Sequence, residues 1–205
     1  MKKILFVLGT RPEAIKLNPV IKQFDLNKSF ETMILTTGQQ ESLLNNTLDE
    51  LGIFPNKKVK MKIKNSNISH HVRDLISTVD KYLTITKPDL VIVQGDTSTA
   101  FAAALAAFLN KIPVAHIEAG LRSLNLESPF PEEGYRQLIS RLSRFNFAPT
   151  NLAKSNLLSE GISPEKIFVV GNTVVDSVIK NLGEIESVKI ENKILITNVA
   201  NVKQI

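Results

Sequence analysis

Three apolar runs of this chain are each followed by a short loop that carries charged residues, and this repetition constrains the fold more than any other feature. The runs and their loops are 4–8 with 9–13, 90–94 with 95–97, and 113–117 with 118–122. In an open parallel sheet, ligands bind outside the carboxyl ends of the strands, where the following helices point their positive N-termini. The pattern therefore predicts a site for an anionic ligand at one edge of a sheet, with carboxylates placed for proton chemistry.

The composition is that of a globular protein with a core. The chain has 205 residues, of which 43% are apolar, and it has no cysteine. The lack of cysteine excludes disulfides, thiolate catalysis and Cys-ligated metal, and it fits a reducing compartment. The run 4–8 is too short for a signal peptide, and the Ala-rich stretch 99–109 is shorter than the roughly 20 apolar residues of a membrane span. We therefore expect a soluble, cytoplasmic protein without a membrane partner.

The net charge of +5 is mostly dispersed along the chain. Lys58, Lys60, Lys62 and Lys64 alternate with apolar residues, which predicts one solvated face of a strand. A nucleic-acid site more often combines a basic patch with aromatic residues, but aromatics are 6% here and tryptophan is absent. We therefore expect no nucleic-acid partner, while the modest positive field would help to collect a phosphate-bearing metabolite.

Apolar strand-like runs alternate with helix-like segments from Lys3 to about Gly183. This alternation predicts an α/β fold, a Rossmann-like doubly wound domain with a mainly parallel sheet, over residues 1–183. The predicted strands are 3–8, 31–37, 58–63, 89–94, 112–117, 144–148 and 166–170. The predicted helices are 12–25, 40–51, 68–86, 97–109, 132–143, 150–160 and 173–183. Residues 184–205 are predicted to be a linker and, at 193–197, the first strand of a second domain.

The loop after the first run has the physics of a phosphate site without a known nucleotide fingerprint. It matches neither a P-loop nor G-x-G-x-x-G, so neither an ATP nor a nicotinamide cofactor is expected. Gly9 allows close approach of the backbone to a ligand, and Arg11 and Lys16 could bind phosphate oxygens near a helix N-terminus. Thr10 and Glu13 have capping-box spacing, so a capped helix with two solvated cations explains the same residues. The residues by themselves leave both interpretations open.

Three carboxylates are candidates for acid–base chemistry. Asp96 could face a ligand or cap the helix that begins near residue 98, whereas Glu118 follows a strand end, where a cap does not require the longer Glu. Glu132 opens a helix one turn before Arg136, which also fits an acidic first turn with an i, i+4 ion pair. Three carboxylates that converge on one crevice form a general acid/base arrangement, because crowding moves their pKa values apart.

The histidines do not predict a metal site. His70 and His71 are adjacent on a predicted helix and are interpreted as surface residues, and His116 is either a satisfied strand histidine or a ligand. Without cysteine, three scattered histidines do not make a zinc site, so no metal is expected.

The motifs, taken in order, resemble those of the non-hydrolysing UDP-N-acetylglucosamine 2-epimerases from Lys3 to about Asp176. The matching motifs are GTRPEAIK at 9–16, GDT at 95–97, HIEAGLR at 116–122, PFPEE at 129–133 with Arg136, APT at 148–150 and GNTVVD at 171–176. The resemblance implies one domain of a two-domain GT-B-like fold, with a UDP-sugar in the cleft and no metal or nicotinamide cofactor. It also implies conversion of UDP-GlcNAc to UDP-ManNAc by elimination and re-addition of UDP, in cell-envelope polysaccharide biosynthesis.

Carried over residue by residue, the resemblance assigns Asp96, Glu118 and Glu132 as the catalytic carboxylates. We expect Asp96 and Glu132 to transfer protons and Glu118 to bind and polarise the substrate, while the sequence does not decide which group is the acid and which the base. The predicted substrate-binding residues are Gly9, Arg11, Lys16 and Arg136.

Three features depart from the family pattern. Residues 39–41 are Gln-Gln-Glu where the family usually has Gln-His-Arg, which counts against an effector site there. Gly134 and Tyr135 stand where an apolar residue and Asn are more usual, and the run at 193–197 leads to Asn-Val-Ala-Asn rather than to a His-Arg motif. We therefore do not expect this chain to contain the family's second domain, which supplies a catalytic histidine and most contacts to UDP.

The leading hypothesis is the N-terminal half of a UDP-GlcNAc 2-epimerase, weak or inactive alone. The partners considered beside UDP-GlcNAc and UDP-ManNAc are a separate chain that supplies the C-terminal domain and a second copy in a homodimer. The alternatives are a UDP-sugar-binding or regulatory module without turnover, a non-functional truncated remnant, and a glycosyltransferase of similar fold.

Overall fold

The computed structural model describes residues 1–38, 41–59 and 67–176. Its strands are β1 (Lys2–Leu8), β2 (Phe30–Thr36), β3 (Lys57–Lys58), β4 (Leu90–Gln94), β5 (Val114–Ile117), β6 (Phe145–Ala148) and β7 (Ile167–Val169). Its helices are α1 (Arg11–Asp25), α2 (Glu41–Leu51), α3 (Ile68–Thr86), α4 (Ser98–Leu109), α5 (Glu132–Leu142) and α6 (Asn151–Ser159), with a 3-10 turn at Pro164–Lys166.

All these strands pair in parallel, in the order β3-β2-β1-β4-β5-β6-β7. The chain runs outward from β1 to β3, crosses back to β4 and then runs outward to β7. The direction of winding therefore reverses between β1 and β4, and a doubly wound fold binds ligands at such a switch point.

The central strand β1 is buried on both faces, as expected for a parallel sheet that helices cover on both sides. Leu5 and Val7 join one core cluster with residues of α3, α4 and α5, while Ile4, Phe6 and Leu8 join another with α1 and α2. Helix α4 contributes mainly alanines to the first cluster, and these small side chains let the helix approach the sheet closely. No described helix is long and apolar enough to cross a membrane.

The predicted α/β, doubly wound parallel fold is confirmed, and apart from the third strand the described element bounds agree with the prediction to within two residues. Of the third strand predicted over 58–63, Lys58 belongs to β3 (Lys57–Lys58) and Val59 lies outside it, while residues 60–63 lie outside the described residues. β3 pairs only with β2 among the described strands, and β2 ends at Thr36, which lies opposite Lys58, so the ladder ends there.

Some predictions fall on residues that the structure does not describe. Residues 173–176 are helical, as predicted, but the remainder of that helix, the domain boundary at 183 and the strand at 193–197 lie outside the described residues. The same holds for Lys60, Lys62 and Lys64 of the predicted solvated face.

Gly120 and Gly161 allow a matched test of close packing beneath the site. Both have a left-handed φ, of +87° and +77°, but only a Cβ on Gly120 would come under 3.0 Å from another atom, the carbonyl oxygen of Ala153. Gly161→Ala should lower the free energy of unfolding by about 1 kcal/mol through backbone strain alone. Gly120→Ala should lower it by about 3 kcal/mol or more, because steric overlap adds to the strain. Urea unfolding of both variants measures the difference, and equal losses would mean that α6 moves aside at no cost.

Candidate active site

The loops after β4 and β5 lie side by side at the carboxyl edge of the sheet. Gln94 pairs with Ile117, and the N–H of Gly95 donates to the Ile117 carbonyl at 3.0 Å. A Cβ on Gly95 would lie 3.9 Å from Glu118 Oε2. The register therefore brings Asp96 and Glu118 onto adjacent loops, as the sequence predicted.

Glu118 is held at the end of β5 in an unusual conformation and by several donors. Its φ of 68° is left-handed, which costs about 1–2 kcal/mol for a residue with a Cβ. Its carboxylate accepts hydrogen bonds from Lys16 Nζ at 2.6 and 2.9 Å, from Gln94 Nε2 and, at 3.3 Å, from Asn172 Nδ2. The turn thus points a nearly buried carboxylate at a cation and two amides instead of at solvent.

Asp96 forms an ion pair and does not cap a helix. The N-cap of α4 is Thr97, whose Oγ1 accepts from Ala100 N at 3.0 Å. The Asp96 carboxylate accepts instead from Arg136 Nη2, on α5. The capping alternative for Asp96 is therefore wrong, because the neighbouring threonine takes that position.

The first turn of α5 separates the roles of its two glutamates. The predicted i, i+4 pair between Glu132 and Arg136 is wrong, since Arg136 contacts Asp96 and, at 3.4 Å, Glu133 Oε2. Among the described residues, the half-buried carboxylate of Glu132 has no hydrogen-bonding or ionic partner. Glu132 is therefore the candidate carboxylate that is already free to meet a ligand.

Glu133 is buried beneath this site. Its carboxylate accepts from Ser123 N and Gln137 Nε2, both at 2.9 Å, in addition to its contact with Arg136. Burial raises the pKa of Glu133, but the hydrogen bonds and the charge of Arg136 together outweigh this effect, so that the pKa lies below its ordinary value. Glu133 therefore orients Arg136 as an anion and ties the loop before α5 to that helix.

A carboxylate of the chain itself occupies the predicted phosphate site at the start of α1. Glu13 is 1% exposed and accepts from Gly9 N, Thr10 N and Thr10 Oγ1 at 2.9, 2.7 and 2.8 Å. Its other oxygen accepts from Thr97 Oγ1 at 2.7 Å, which connects this loop to the start of α4. The Gly9 amide therefore already has a partner within the chain, and close approach of a substrate to Gly9 stays a prediction.

The glycine at position 9 is explained by packing. A Cβ there would come under 3.0 Å from the hydroxyl oxygens of Thr37 and Thr99. Of the two cations predicted in this loop, Arg11 is exposed and has no partner among the described residues, whereas Lys16 is turned toward Glu118. The interpretation of two solvated cations therefore holds for Arg11 and fails for Lys16.

His116 is a structural histidine. It is fully buried, and its Nε2–H donates to the Gly95 carbonyl at 2.7 Å. Burial lowers the pKa of His116 to about 4, so its ring is neutral at physiological pH. Its contact fixes the loop that carries Asp96. His70 and His71 lie on α3, and the described residues contain no group of side chains that could hold a metal ion.

Comparison with known proteins decides the family. The family model for UDP-N-acetylglucosamine 2-epimerase matches residues 22–203. This chain belongs to that family. A UDP-N-acetylglucosamine 2-epimerase from Neisseria meningitidis serogroup A is 43% identical over 191 residues, which are 93% of this chain and 51% of the relative. This epimerase-family chain thus spans about half the length of the curated relatives that it matches.

Solved structures of epimerases share the fold. The UDP-GlcNAc 2-epimerase of Neisseria meningitidis bound to UDP-GlcNAc has a TM-score of 0.86 and 43% identity, covering 92% of this chain and 52% of that one. The Methanocaldococcus jannaschii UDP-GlcNAc 2-epimerase in complex with UDP-GlcNAc and UDP has a TM-score of 0.85 and 41% identity, covering 91% and 51%. The predicted family and Rossmann-like, GT-B-like architecture are confirmed, with this chain covering half of each neighbour.

Two residues of this epimerase-family site, Gln94 and Asn172, were not predicted. Gln94 is a polar residue at the end of an apolar run, and Asn172 lies within the motif at 171–176, but no local pattern indicates that both contact Glu118. Glu118 and Asn172 also border an apolar cavity of about 360 Å³. Its apolar walls include Phe24, Ile92, Ile117, Phe145, Phe147 and Val170.

The buried carboxylate of Glu13 gives a test of pH dependence. Burial raises the pKa of Glu13 above its ordinary value of 4.5, although the hydrogen bonds from Thr97, Gly9 and Thr10 oppose the shift. Between pH 4.5 and the raised pKa, the folded chain keeps this proton after the unfolded chain has lost it, so the free energy of unfolding falls as the pH rises. Glu13→Gln keeps the shape and removes the titration, so its stability relative to wild type should increase as the pH rises from 4.5 to about 7.5.

Urea unfolding at a series of pH values measures this difference, with Glu13→Ala as the control. In Glu13→Gln, Oε1 can accept from Gly9 and Thr10 and Nε2 can donate to Thr97 Oγ1, so only the Thr97 hydroxyl proton loses its acceptor in this group. Glu13→Ala leaves those buried donors without a partner and should cost about 2–4 kcal/mol. Parallel pH profiles for wild type and Glu13→Gln would contradict a titrating carboxyl at this position.

Proposed function

We propose that this chain supplies the N-terminal half of an active site that interconverts UDP-GlcNAc and UDP-ManNAc. The observation that carries this proposal is the grouping of three carboxylates with two cations at the switch point of an epimerase-family sheet. Asp96 lies with Arg136, Glu118 with Lys16, and Glu132 at the start of α5 without a partner among the described residues. The neighbouring structures that carry UDP-GlcNAc or UDP support the same class of ligand.

The chemistry of the sugar explains why such a site needs both kinds of group. The C2 proton of a GlcNAc unit is not next to a carbonyl, so its direct removal and return would be too costly. Elimination of UDP across C1 and C2 leaves a 2-acetamidoglucal, and UDP adds back after the proton has returned to the other face. This route needs carboxylates near C2 and cations on the departing diphosphate.

The residues fit these roles as follows. Glu132 and Asp96 transfer the protons, and Glu118 binds and polarises the sugar. Arg11, Lys16 and Arg136 hold the diphosphate, whereas the amides of Gly9 and Thr10 are already bonded to Glu13. The steps use side chains of the protein and call for no metal or nicotinamide cofactor.

The relatives are about twice as long as this chain, so we infer that turnover requires a C-terminal half. A second polypeptide could supply it, and a homodimer remains a prediction, as does a cytoplasmic location. A UDP-sugar-binding module without turnover is the alternative.

The proposal is tested by proton NMR of UDP-GlcNAc in deuterium oxide. The purified chain is measured alone and together with the C-terminal half of the Neisseria meningitidis relative as a separate polypeptide. We expect exchange of the C2 proton and formation of UDP-ManNAc with the companion. Asp96→Asn and Glu132→Gln should each reduce the rate by about 100-fold or more, because each removes a proton-transfer group.

Asp89→Asn is the matched control, since it removes a carboxylate at the opposite edge of the sheet, where Asp89 pairs with Lys2 at 2.9 Å. This variant should keep the wild-type rate. Binding of UDP-GlcNAc without exchange would favour the binding module. A complex that elutes as one species but forms no UDP-ManNAc would overturn the epimerase proposal.

A further inference from the structure

Both partly buried cations of the proposed substrate site already hold a candidate catalytic carboxylate. Lys16 Nζ lies 2.6 Å from Glu118 Oε2, with side chains 25% and 12% exposed. Arg136 Nη2 pairs with Asp96, with side chains 18% and 28% exposed. A ligand that carries a diphosphate must therefore compete with these carboxylates for the same two cations.

The described residues around these two pairs include further groups that could bind an anion. The amides of Gly9 and Thr10, just before α1, are already bonded to Glu13. Arg11 is solvated and contributes one cation from the surface. At this site, the partly buried cations of the described residues that can bind the diphosphate of a nucleotide sugar are therefore Lys16 and Arg136.

The second contacts of each pair make an exchange of partners feasible. If Lys16 leaves Glu118, that carboxylate keeps Gln94 and Asn172 as donors. If Arg136 leaves Asp96 for the diphosphate, the guanidinium keeps Glu133 at 3.4 Å, and the Asp96 side chain is 28% exposed to solvent. Neither carboxylate would be left as a fully buried, unpaired charge, and avoiding that state removes the main cost of breaking such a pair.

We propose, resting on the function above, that the diphosphate displaces Glu118 from Lys16 and Asp96 from Arg136. Binding of the nucleotide then releases Asp96 for proton transfer and Glu118 for contact with the sugar, so these two carboxylates become available only when the leaving group is held, whereas Glu132, without a partner among the described residues, is free throughout. In the unliganded chain the same carboxylates act as competitors of the ligand.

This exchange predicts the sign of a mutational effect. Glu118→Gln and Asp96→Asn remove the competing charge and keep the shape, so each should tighten the binding of UDP. The expected gain is about fivefold per variant, the equivalent of roughly 1 kcal/mol for a partly exposed ion pair. If the carboxylates instead contributed favourably to UDP binding, the same variants would weaken it.

Calorimetric titration of the full chain with UDP at low salt tests the exchange. UDP contains the diphosphate and lacks the GlcNAc unit, so loss of a contact between Glu118 and GlcNAc does not affect the result. Lys16→Met should weaken UDP binding. Asp89→Asn controls for the gain in net charge and should leave the affinity for UDP unchanged, because its partner Lys2 lies at the opposite edge of the sheet. Uridine, which has no phosphate, should bind wild type and variants alike.

The outcomes separate this inference from the proposed function. If wild type binds UDP, and Glu118→Gln and Asp96→Asn bind it equally or more weakly, the exchange is overturned and the proposed function stands. A gain at only one position would overturn the exchange for the other pair, and an equal gain in Asp89→Asn would reduce it to a net-charge effect. If neither wild type nor variants of this chain bind UDP at millimolar concentration, the exchange fails, whereas the proposed function is judged by the assay with the C-terminal companion.

Discussion

The buried carboxylate of Glu13 joins the two loops that flank the switch point of the sheet. It binds the amides of Gly9 and Thr10 after β1, and it reaches Thr97 at the N-cap of α4. Thr97 directly follows Asp96, so this contact sets the entry of the chain into α4 where a candidate catalytic group lies. The rest of the site depends on these bonds, because they fix the loops after β1 and β4 against each other and take up the amides of Gly9 and Thr10.

A second set of contacts holds the loop after β5 beside the two loops that Glu13 joins. Glu118 adopts a left-handed φ, whose cost is offset by bonds from Lys16, Gln94 and Asn172. Two residues later, Gly120 packs so closely on α6 that no side chain fits. Glu133 orients Arg136 from below. The carboxylates are thus held by structure that is itself buried, which is what positioning of acid–base groups requires.

Much of the fold and the membership of the site could be predicted from local patterns. The bounds of α1, α3 and α4 follow from helical periodicity and capping residues, and the carboxyl edge of a parallel sheet collects Asp96 and Glu118 whatever the details of packing. The third strand is tested only in part, because its predicted residues 60–63 lie outside the described residues; Lys58 pairs with Thr36 at the end of β2, and Val59 lies outside β3.

The sequence by itself determined the succession of strands and helices along the chain, the apolar faces and the family, because each depends on residue types at short spacings. Tertiary structure alone decided which charge meets which. Lys16 and Glu118 are 102 residues apart, and Asp96 and Arg136 are 40 apart. A local pattern favours the nearest partner, such as Glu132 for Arg136 or a helix cap for Asp96. In the folded chain a charged group pairs with whichever opposite charge the packing brings within about 3 Å, since both the Coulomb energy and the hydrogen bond are lost over a few ångströms.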